Sequence, residues 1–121
     1  MDQAIDGLML GILFNQGQVC CAGSRVFVQE GIYDEFISRA KAAFAKVIQG
    51  NPLDPATQIG AQINESQMKK IASYIDIARA EGASVLVGGE RNEEGALANG
   101  CFFKPTPVSY THLTLPTTPY V

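Results

Sequence analysis

The sequence predicts an α/β fold in which helices alternate with short strands. Three segments carry the apolar spacing of amphipathic helices. Short runs rich in β-branched and aromatic residues follow them, and glycine, proline or asparagine marks most of the boundaries. A chain of 121 residues, of which 46% are hydrophobic, amounts to one domain or a piece of one, with enough apolar side chains for a core.

The first half of the chain predicts a helix, a cysteine-containing loop, a strand and a second helix. The first helix ends at residues 15–17, a turn-forming cluster, and residues 25–29 are typical of a strand. The second helix is expected from about residue 32 to residue 49, where Gly50 stops it. The apolar stripe of the first helix consists of Ile5, Leu8, Met9, Ile12 and Leu13.

The second half predicts one more helix and two more strands. The helix starts behind Asn64, shows apolar residues at helical spacing, and ends at Gly82. Residues 84–87 indicate a strand closed by two glycines, and residues 101–103 indicate another whose exit is set by Pro105. No internal repeat is visible, so these elements belong to a single α/β unit.

The composition changes near Pro107. No Asp, Glu, Lys or Arg occurs from residue 105 to the end, and residues 108–118, VSYTHLTLPTT, fit neither a helix nor an alternating strand. This string resembles the in-frame translation of a transposon-based sequencing adaptor; the alternative is a natural tail rich in threonine and proline. We therefore interpret residues 1–107 as the folded part and residues 108–121 as a non-native tail that contributes no packing.

Charge and hydropathy exclude several classes of partner. The net charge is −3 with dispersed signs, and the longest basic run is Lys69-Lys70, which argues against nucleic acid and anionic membrane as partners. No apolar run approaches the roughly 18 residues of a membrane span. The acidic start MDQAIDGLML does not resemble a secretory signal.

The three cysteines argue against a disulfide framework and against a metal site. Cys20 and Cys21 are neighbours, so a disulfide between them would close a strained ring, and a reducing, cytoplasmic location is favoured. There is no C-x2-C pair, and His112 is the only histidine, so we expect no bound metal.

The stretch FNQGQVCCAGSRVFVQEGIYDEF, residues 14–36, resembles the region around the catalytic cysteine of NAD(P)-dependent aldehyde dehydrogenases. In that family Gly-Gln or Gly-Glu and one variable residue precede the nucleophilic cysteine. Gly17 and Gln18 take the first two places, and Cys20 takes the place of the nucleophile.

Two later stretches resemble the same family. GNPLDPATQIGAQIN, residues 50–64, is similar to a proline-containing family loop, with Ala61 where proline is usual. GCFFKPT, residues 100–106, is similar to a family strand, with Cys101 in place of an aromatic residue. The resemblance implies that residues 1–107 are part of the aldehyde dehydrogenase catalytic domain and that the chain is an internal fragment, inactive by itself.

The resemblance implies a reaction at Cys20. The thiolate would attack an aldehyde, hydride would pass to NAD or NADP, and water would hydrolyse the thioester to a carboxylic acid. The main-chain N–H of Cys20 would donate to the oxyanion, and small neighbours would let the substrate approach. We interpret Cys21 as a packing or pocket-lining residue. A Cys–His hydrolase using His112 is disfavoured, because the surroundings of such a pair are absent.

Two residues of the third helix stand where the family approaches the cofactor riboses, namely Gln67 and Lys70. For Gln67 the alternative is a capping box with Asn64, and for Lys70 a solvated helix charge. Most of the cofactor would be bound by parts of the parent enzyme outside this chain, and the resemblance implies a homo-oligomeric parent. The alternative function is a non-catalytic structural module that keeps the scaffold.

Overall fold

The computed structural model describes residues 1–110, which contain three α-helices and a two-stranded sheet. Single 3-10 turns separate some of these elements. None of the helices in this range is long and apolar enough to cross a membrane. The helices are α1 (Asp2–Leu13), α2 (Tyr33–Ala45) and α3 (Glu65–Ala80), and the strands are β1 (Ser84–Val85) and β2 (Val108–Ser109).

The first apolar cluster lies between α1 and α2. Ile5 from α1 is buried against Phe36 and Ala40 from α2, as the helical stripes of the two segments predict. Burying a large apolar side chain contributes about 1.5–3 kcal/mol to stability. An exposed ion pair joins the same two helices, with the Arg39 guanidinium 2.6 Å from the Asp2 carboxylate. The partly buried residues around this cluster are Leu8, Met9, Val28, Ile37 and Ala43.

The second apolar cluster lies under α3. Met68 and Ile75 from this helix are buried together with Phe103. Partly buried side chains from both strands, Val85 and Val108, pack against them. The two clusters share no residue. One small core therefore lies between α1 and α2, and a second lies between α3 and the two strands.

The ends of α3 follow the predicted signals. The Asn64 side-chain oxygen accepts a hydrogen bond from the Gln67 N–H at 2.9 Å, which makes Asn64 the N-cap. Gly82 follows the helix with a φ of +85°, a conformation that glycine adopts without strain. In the first turn the Lys69 ammonium lies 2.9 Å from the Glu65 carboxylate, and this hydrogen bond lowers the pKa of Glu65.

The predicted α/β fold class is confirmed, but less of the chain forms strands than expected. Residues 25–29 form no strand, because among residues 1–110 no other segment pairs with them. In the 101–103 segment, Phe103 makes one isolated antiparallel bridge to Arg91. The strand expected over residues 84–87 is limited to Ser84–Val85, and α2 ends at Ala45, four residues before the predicted end.

The start of the predicted tail forms part of the sheet. Ser109 pairs with Ser84 and Val108 with Val85 in an antiparallel register, and the Tyr33 hydroxyl bonds to the Ser109 hydroxyl. The expectation that the tail contributes no packing is therefore wrong for these two residues. The physical reason is that a strand ladder uses backbone groups, so an extended segment beside a free edge can pair whatever its composition. The rest of the tail, including His112, lies outside the described residues.

Candidate functional site

The segment that leads into the cysteine loop has a left-handed backbone. Asn15, Gln16 and Gly17 have φ values of 47°, 56° and 75°, a region that L-residues other than asparagine and aspartate rarely adopt. The turn is closed by two bonds between Asn15 and Gln18: the Gln18 N–H donates to the Asn15 carbonyl at 3.0 Å, and the Asn15 amide donates to the Gln18 carbonyl at 3.1 Å. This turn reverses the chain directly after α1.

Cys20 and Cys21 occupy the two central positions of the next turn. The Ala22 N–H donates to the Val19 carbonyl at 3.2 Å, which closes this four-residue turn. Both cysteines are exposed and unpaired with another cysteine. The turn thus presents two neighbouring thiols at the surface, and Cys21 packs in neither apolar cluster, so its interpretation as a packing residue is wrong in this structure, while its interpretation as a pocket-lining residue stays a prediction.

The cysteine turn is attached to the body of the protein on its C-terminal side. The Gly23 N–H donates to the Gly11 carbonyl of α1 at 2.8 Å. A Cβ added at Gly23 would lie 3.6 Å from the Gly11 carbonyl oxygen, which is an ordinary van der Waals distance. The attachment of the loop to α1 therefore depends on this backbone hydrogen bond and does not require glycine at residue 23.

Glutamine side chains connect the cysteine loop to the residues that precede α3. The Gln18 side-chain oxygen accepts from the Ile63 N–H at 3.1 Å, and the Gln62 amide donates to the Gln16 carbonyl at 3.4 Å. The Gln16 side-chain amide is assigned the orientation in which its nitrogen donates to Asn15. In this orientation its oxygen accepts from the Gly60 N–H at 2.9 Å. We call these three bonds the glutamine clamp. It brings the cysteine turn close to the N-terminus of α3.

Sequence reasoning missed this clamp. It assigned Gln18 to a motif position and gave Gln16 no role. The only signal was the presence of glutamines on both sides of Gly17, and glutamine at a loop position is too common to indicate a specific contact. The partners of the clamp lie more than 40 residues away in the sequence, so only the folded chain identifies them.

Gln67 and Lys70 lie on one side of α3, three residues apart. Gln67 is half-buried and Lys70 is exposed. Only half of the predicted capping box forms in the described structure: the Gln67 backbone N–H bonds to Asn64, and the Gln67 side chain does not return a bond to the Asn64 N–H. The Gln67 amide is thus not used in the cap. Within residues 1–110, no hydrogen bond joins either residue to Cys20.

An open apolar groove of about 480 Å³ lies beside the end of α1. Neither cysteine of the exposed turn lines it, and neither do Gln67 and Lys70. In residues 1–110 no group of three or more His, Cys, Asp or Glu side chains is arranged to hold a metal ion. The cysteine turn and the first turns of α3 are therefore the candidate functional site. The groove is lined by Met9, Leu10, Leu13, Phe14, Asn15, Val47, Gln58 and Ile59.

Sequence comparison identifies close relatives. The family model described as the aldehyde dehydrogenase family matches residues 1–112. An aldehyde dehydrogenase of Deinococcus radiodurans is 49% identical over 106 residues, which are 88% of this chain and 20% of the relative. Acetaldehyde dehydrogenase 2 of Cupriavidus necator is 51% identical over 106 residues, 87% of this chain and 21% of the relative. The chain thus spans about a fifth of the length of these relatives.

Structure comparison agrees with the sequence comparison. A betaine aldehyde dehydrogenase from Staphylococcus aureus, solved in complex with NAD+, matches with a TM-score of 0.87 and 41% identity. The match covers 88% of this chain and 21% of that one. A variant of the same enzyme, also in complex with NAD+, contains a BME-modified cysteine. The family model covers nearly the whole chain, and fold and sequence agree. The chain belongs to the aldehyde dehydrogenase family.

Proposed function

We propose that the parent protein oxidises an aldehyde to a carboxylic acid with NAD(P)+, and that Cys20 is the nucleophile. The observation that carries the proposal is the position of Cys20: of the two exposed thiols in the turn, it is the one that follows Gly17-Gln18 and one further residue, in a chain of the aldehyde dehydrogenase family. An enzyme nucleophile needs this combination of access and fixed position. A relative whose structure contains NAD+ and a BME-modified cysteine supports cysteine reactivity in the family.

The first step assigned to Cys20 is attack on the carbonyl carbon of the aldehyde. Its sulfur bonds to that carbon, and negative charge develops on the aldehyde oxygen. The backbone N–H of Cys20 has no hydrogen-bond acceptor within residues 1–110, so it is available to donate to that oxygen. A fixed donor at a developing oxyanion stabilises the transition state by about 2.7–4 kcal/mol.

The role of the glutamine clamp is to hold the cysteine turn in position during this attack. It joins the left-handed segment before Cys20 to the chain before α3 through Gln16 and Gln18. Misplacing a nucleophile by about 1 Å can reduce the rate about a hundredfold. The clamp residues are therefore proposed as positioning residues and not as catalytic residues.

Gln67 and Lys70 are proposed to contact the cofactor. Their side chains fit a polar ligand: the Gln67 amide is not used in the helix cap, and Lys70 makes no ion pair in the described part of the chain. Gln67 lies in the first turn of α3 and Lys70 in the second, and the contacts proposed for both are to the riboses of the cofactor, whose hydroxyl groups can pair with an amide and an ammonium. NAD(P)+, when bound, supplies the hydride acceptor. An amide and an ammonium would bind and orient it through hydrogen bonds.

For the parent protein we also propose a small-molecule aldehyde as substrate, a homo-oligomeric assembly and a cytoplasmic location. The family supports the aldehyde substrate, and the three unpaired cysteines support a reducing compartment. Dispersed charge with a net value of −3 supports the absence of nucleic-acid or membrane partners.

The test compares two neighbouring thiols in the full-length parent protein. Cys20→Ala should abolish NAD(P)H formation from aldehydes, because no other group can form the thioester. Cys21→Ala is the matched control, since it removes the other exposed thiol from the same turn, and it should keep most of the activity. Stopped-flow absorbance at the NAD(P)H wavelength measures both.

Two other outcomes would contradict the assignment. If Cys21→Ala were inactive and Cys20→Ala active, the nucleophile would be Cys21. If both variants and the unmodified protein lacked activity while binding cofactor, the parent would be the non-catalytic module that keeps the scaffold.

A further inference from the structure

Asn99 and Gly100 form the dipeptide in which an asparagine side chain is most easily lost as ammonia. Glycine has no Cβ that would hinder attack of its backbone nitrogen on the preceding side-chain amide. Of the five asparagines in the chain, only Asn99 precedes a glycine. It is exposed and ends the 3-10 turn Gly95–Asn99. The proposed reaction gives this pair no role.

Hydrogen bonding also separates Asn99 from the other asparagines. The side chains of the other four are bonded, and a bonded side chain is restrained from turning towards the next backbone nitrogen. One of the four, Asn51, in addition precedes Pro52, which has no N–H proton to lose. In the described range the Asn99 side chain makes no hydrogen bond. The asparagines with bonded side chains are Asn15, Asn51, Asn64 and Asn92.

The packing of Phe102 favours glycine at residue 100. A Cβ added at Gly100 would lie 2.6 Å and 2.8 Å from two atoms of the Phe102 ring, so the ring would have to move. The φ of Gly100 is −116°, which any residue can adopt. Side-chain packing and not backbone conformation therefore selects glycine here, and the labile dipeptide is a consequence of the fold.

The Arg91 side chain restrains the same pair. Its Nη2 atom donates to the Ala98 carbonyl and, at 3.1 Å, to the Gly100 carbonyl. These two acceptors lie on either side of Asn99. The Gly100 N–H in turn donates to the Leu97 carbonyl at 3.0 Å. Before it can attack, the Gly100 nitrogen must leave this bond and rotate between two carbonyls that Arg91 holds in place.

We propose that Asn99 is a site of spontaneous deamidation and that Arg91 limits its rate. The free side-chain amide and the following glycine make the reaction possible in the folded chain. The two bonds from Arg91 slow it, because they oppose the backbone rotation that the attack needs. The proposal depends on this turn alone and is independent of which thiol is the nucleophile of the parent protein.

The reaction proceeds in two balanced steps. The Gly100 nitrogen attacks Cγ of Asn99: an N–C bond forms, the bond from Cγ to Nδ2 breaks, and ammonia leaves with the proton of the Gly100 amide. The product is a cyclic succinimide. Water then adds to either carbonyl carbon of the ring and opens it, which gives aspartate or isoaspartate. Neither step changes an oxidation state.

Isoaspartate at residue 99 would change the contacts of this turn. It adds one carbon atom to the backbone between the Ala98 and Gly100 carbonyls, so both can no longer bind Arg91 in the same way. The next carbonyl, that of Cys101, accepts from the Gln62 N–H at 2.8 Å. We therefore expect the isoaspartate form to unfold at a lower urea concentration than the unmodified chain.

The experiment incubates the full chain at mildly alkaline pH without denaturant and follows deamidation by peptide mapping with mass spectrometry. The expected result is one modified site, Asn99, where aspartate and isoaspartate replace the amide while the other four asparagines stay intact. Isoaspartyl methyltransferase identifies the isoaspartate. Asn99→Gln should remain unmodified over the same time, because glutamine would have to form a larger ring.

The role of Arg91 is tested with a matched pair of variants. Arg91→Met keeps the apolar stem but removes the donors, and it should deamidate about tenfold faster or more, the factor expected when a hydrogen bond from a charged group is lost. Lys104→Met is the control, since the Lys104 ammonium pairs with Glu90 and Glu94 and not with the turn at Asn99. Circular dichroism checks that each variant is folded before incubation.

The same chain in urea gives the rate without the fold. An unmodified Asn99 in the folded chain, when the chain in urea has deamidated, would overturn the proposal. Earlier modification of any of the other four asparagines would overturn it as well. Equal rates in folded Arg91→Met and folded Lys104→Met would show that Arg91 does not limit the reaction.

Discussion

At the scale of single residues, the notable feature is backbone strain just before the candidate nucleophile. Gln16 has a positive φ of 56° without being glycine, asparagine or aspartate, which costs about 1–2 kcal/mol. Such strain persists only where the surrounding contacts impose it. Here the contacts are the glutamine clamp and the two bonds between Asn15 and Gln18. The strain thus supports the view that this turn is held for function.

A substitution at Gly17 tests whether the stability of the chain depends on this left-handed turn. Gly17→Ala would place a Cβ 3.0 Å from the Ile12 carbonyl oxygen at a φ of +75°, so it should destabilise the chain by about 1–2 kcal/mol. Gly7→Ala is the matched control, because its Cβ would meet nothing within 4 Å and alanine is the better helix former by about 1 kcal/mol. Urea unfolding followed by circular dichroism measures both. Equal effects of the two substitutions would show that the left-handed turn is not required.

At the scale of an element, α3 connects the cysteine turn to the proposed cofactor contacts. Its start is fixed by the Asn64 cap, and the residue before that cap, Ile63, donates to Gln18. The helix start and the cysteine loop are therefore held by neighbouring bonds. Loosening the cap would affect both the stability of α3 and the position of Gln67 three residues later.

We expect Asn64→Ala to destabilise the chain by about 1 kcal/mol, because the Gln67 N–H loses its acceptor at the helix start. Asn64→Ser is the control, since serine caps a helix about as well as asparagine. The midpoint of urea unfolding measures the change. A loss of the same size in both variants would mean that the cap hydrogen bond is not the stabilising contact.

At the scale of the whole molecule, the described chain leaves large apolar side chains in contact with water. Phe27 is 91% exposed and Leu10 is 69% exposed. The backbone from residue 25 to residue 28 takes part in no backbone hydrogen bond within residues 1–110. Exposed apolar surface beside unpaired extended backbone favours association between chains.

Size-exclusion chromatography with light scattering tests this expectation. The chain should associate as its concentration rises, and Phe27→Lys should reduce association, because a charge beside the extended segment opposes strand pairing. Leu53→Lys is the matched control: Leu53 is 89% exposed but lies in a loop between α2 and α3, so it should change association little. A monomeric chain at all concentrations would contradict the expectation.

The sheet also yields a prediction for the end of the chain. Deleting residues 108–121 removes β2, the Val108 side chain from the second cluster and the Tyr33–Ser109 contact. We expect a loss of about 1 kcal/mol or more, since one partly buried valine and a strand pair are removed. Deleting only residues 111–121 is the control and should leave thermal unfolding unchanged. Equal melting curves for the two deletions would mean that the β1–β2 pair does not stabilise the fold.

The sequence by itself determined the features that depend on local chemistry. Helix starts and ends are local, because a capping side chain, a glycine or an apolar stripe acts within a few residues. This is why α1 and α3 lie close to where their patterns predict them, with Asn64 as the cap of α3. The motif around Cys20 was equally local, and the family to which it pointed is confirmed.

Only the tertiary structure decided which extended segments became strands and how the cysteine turn is held. A strand exists only with a partner, so residues 25–29 remained unpaired while Val108 and Ser109, expected to lie outside the fold, joined β1. The bonds of the glutamine clamp join residues more than 40 positions apart. The exposure of Cys21 is likewise a property of the folded turn. Pairing, long-range contact and exposure depend on what the rest of the chain places nearby, and no local pattern encodes that.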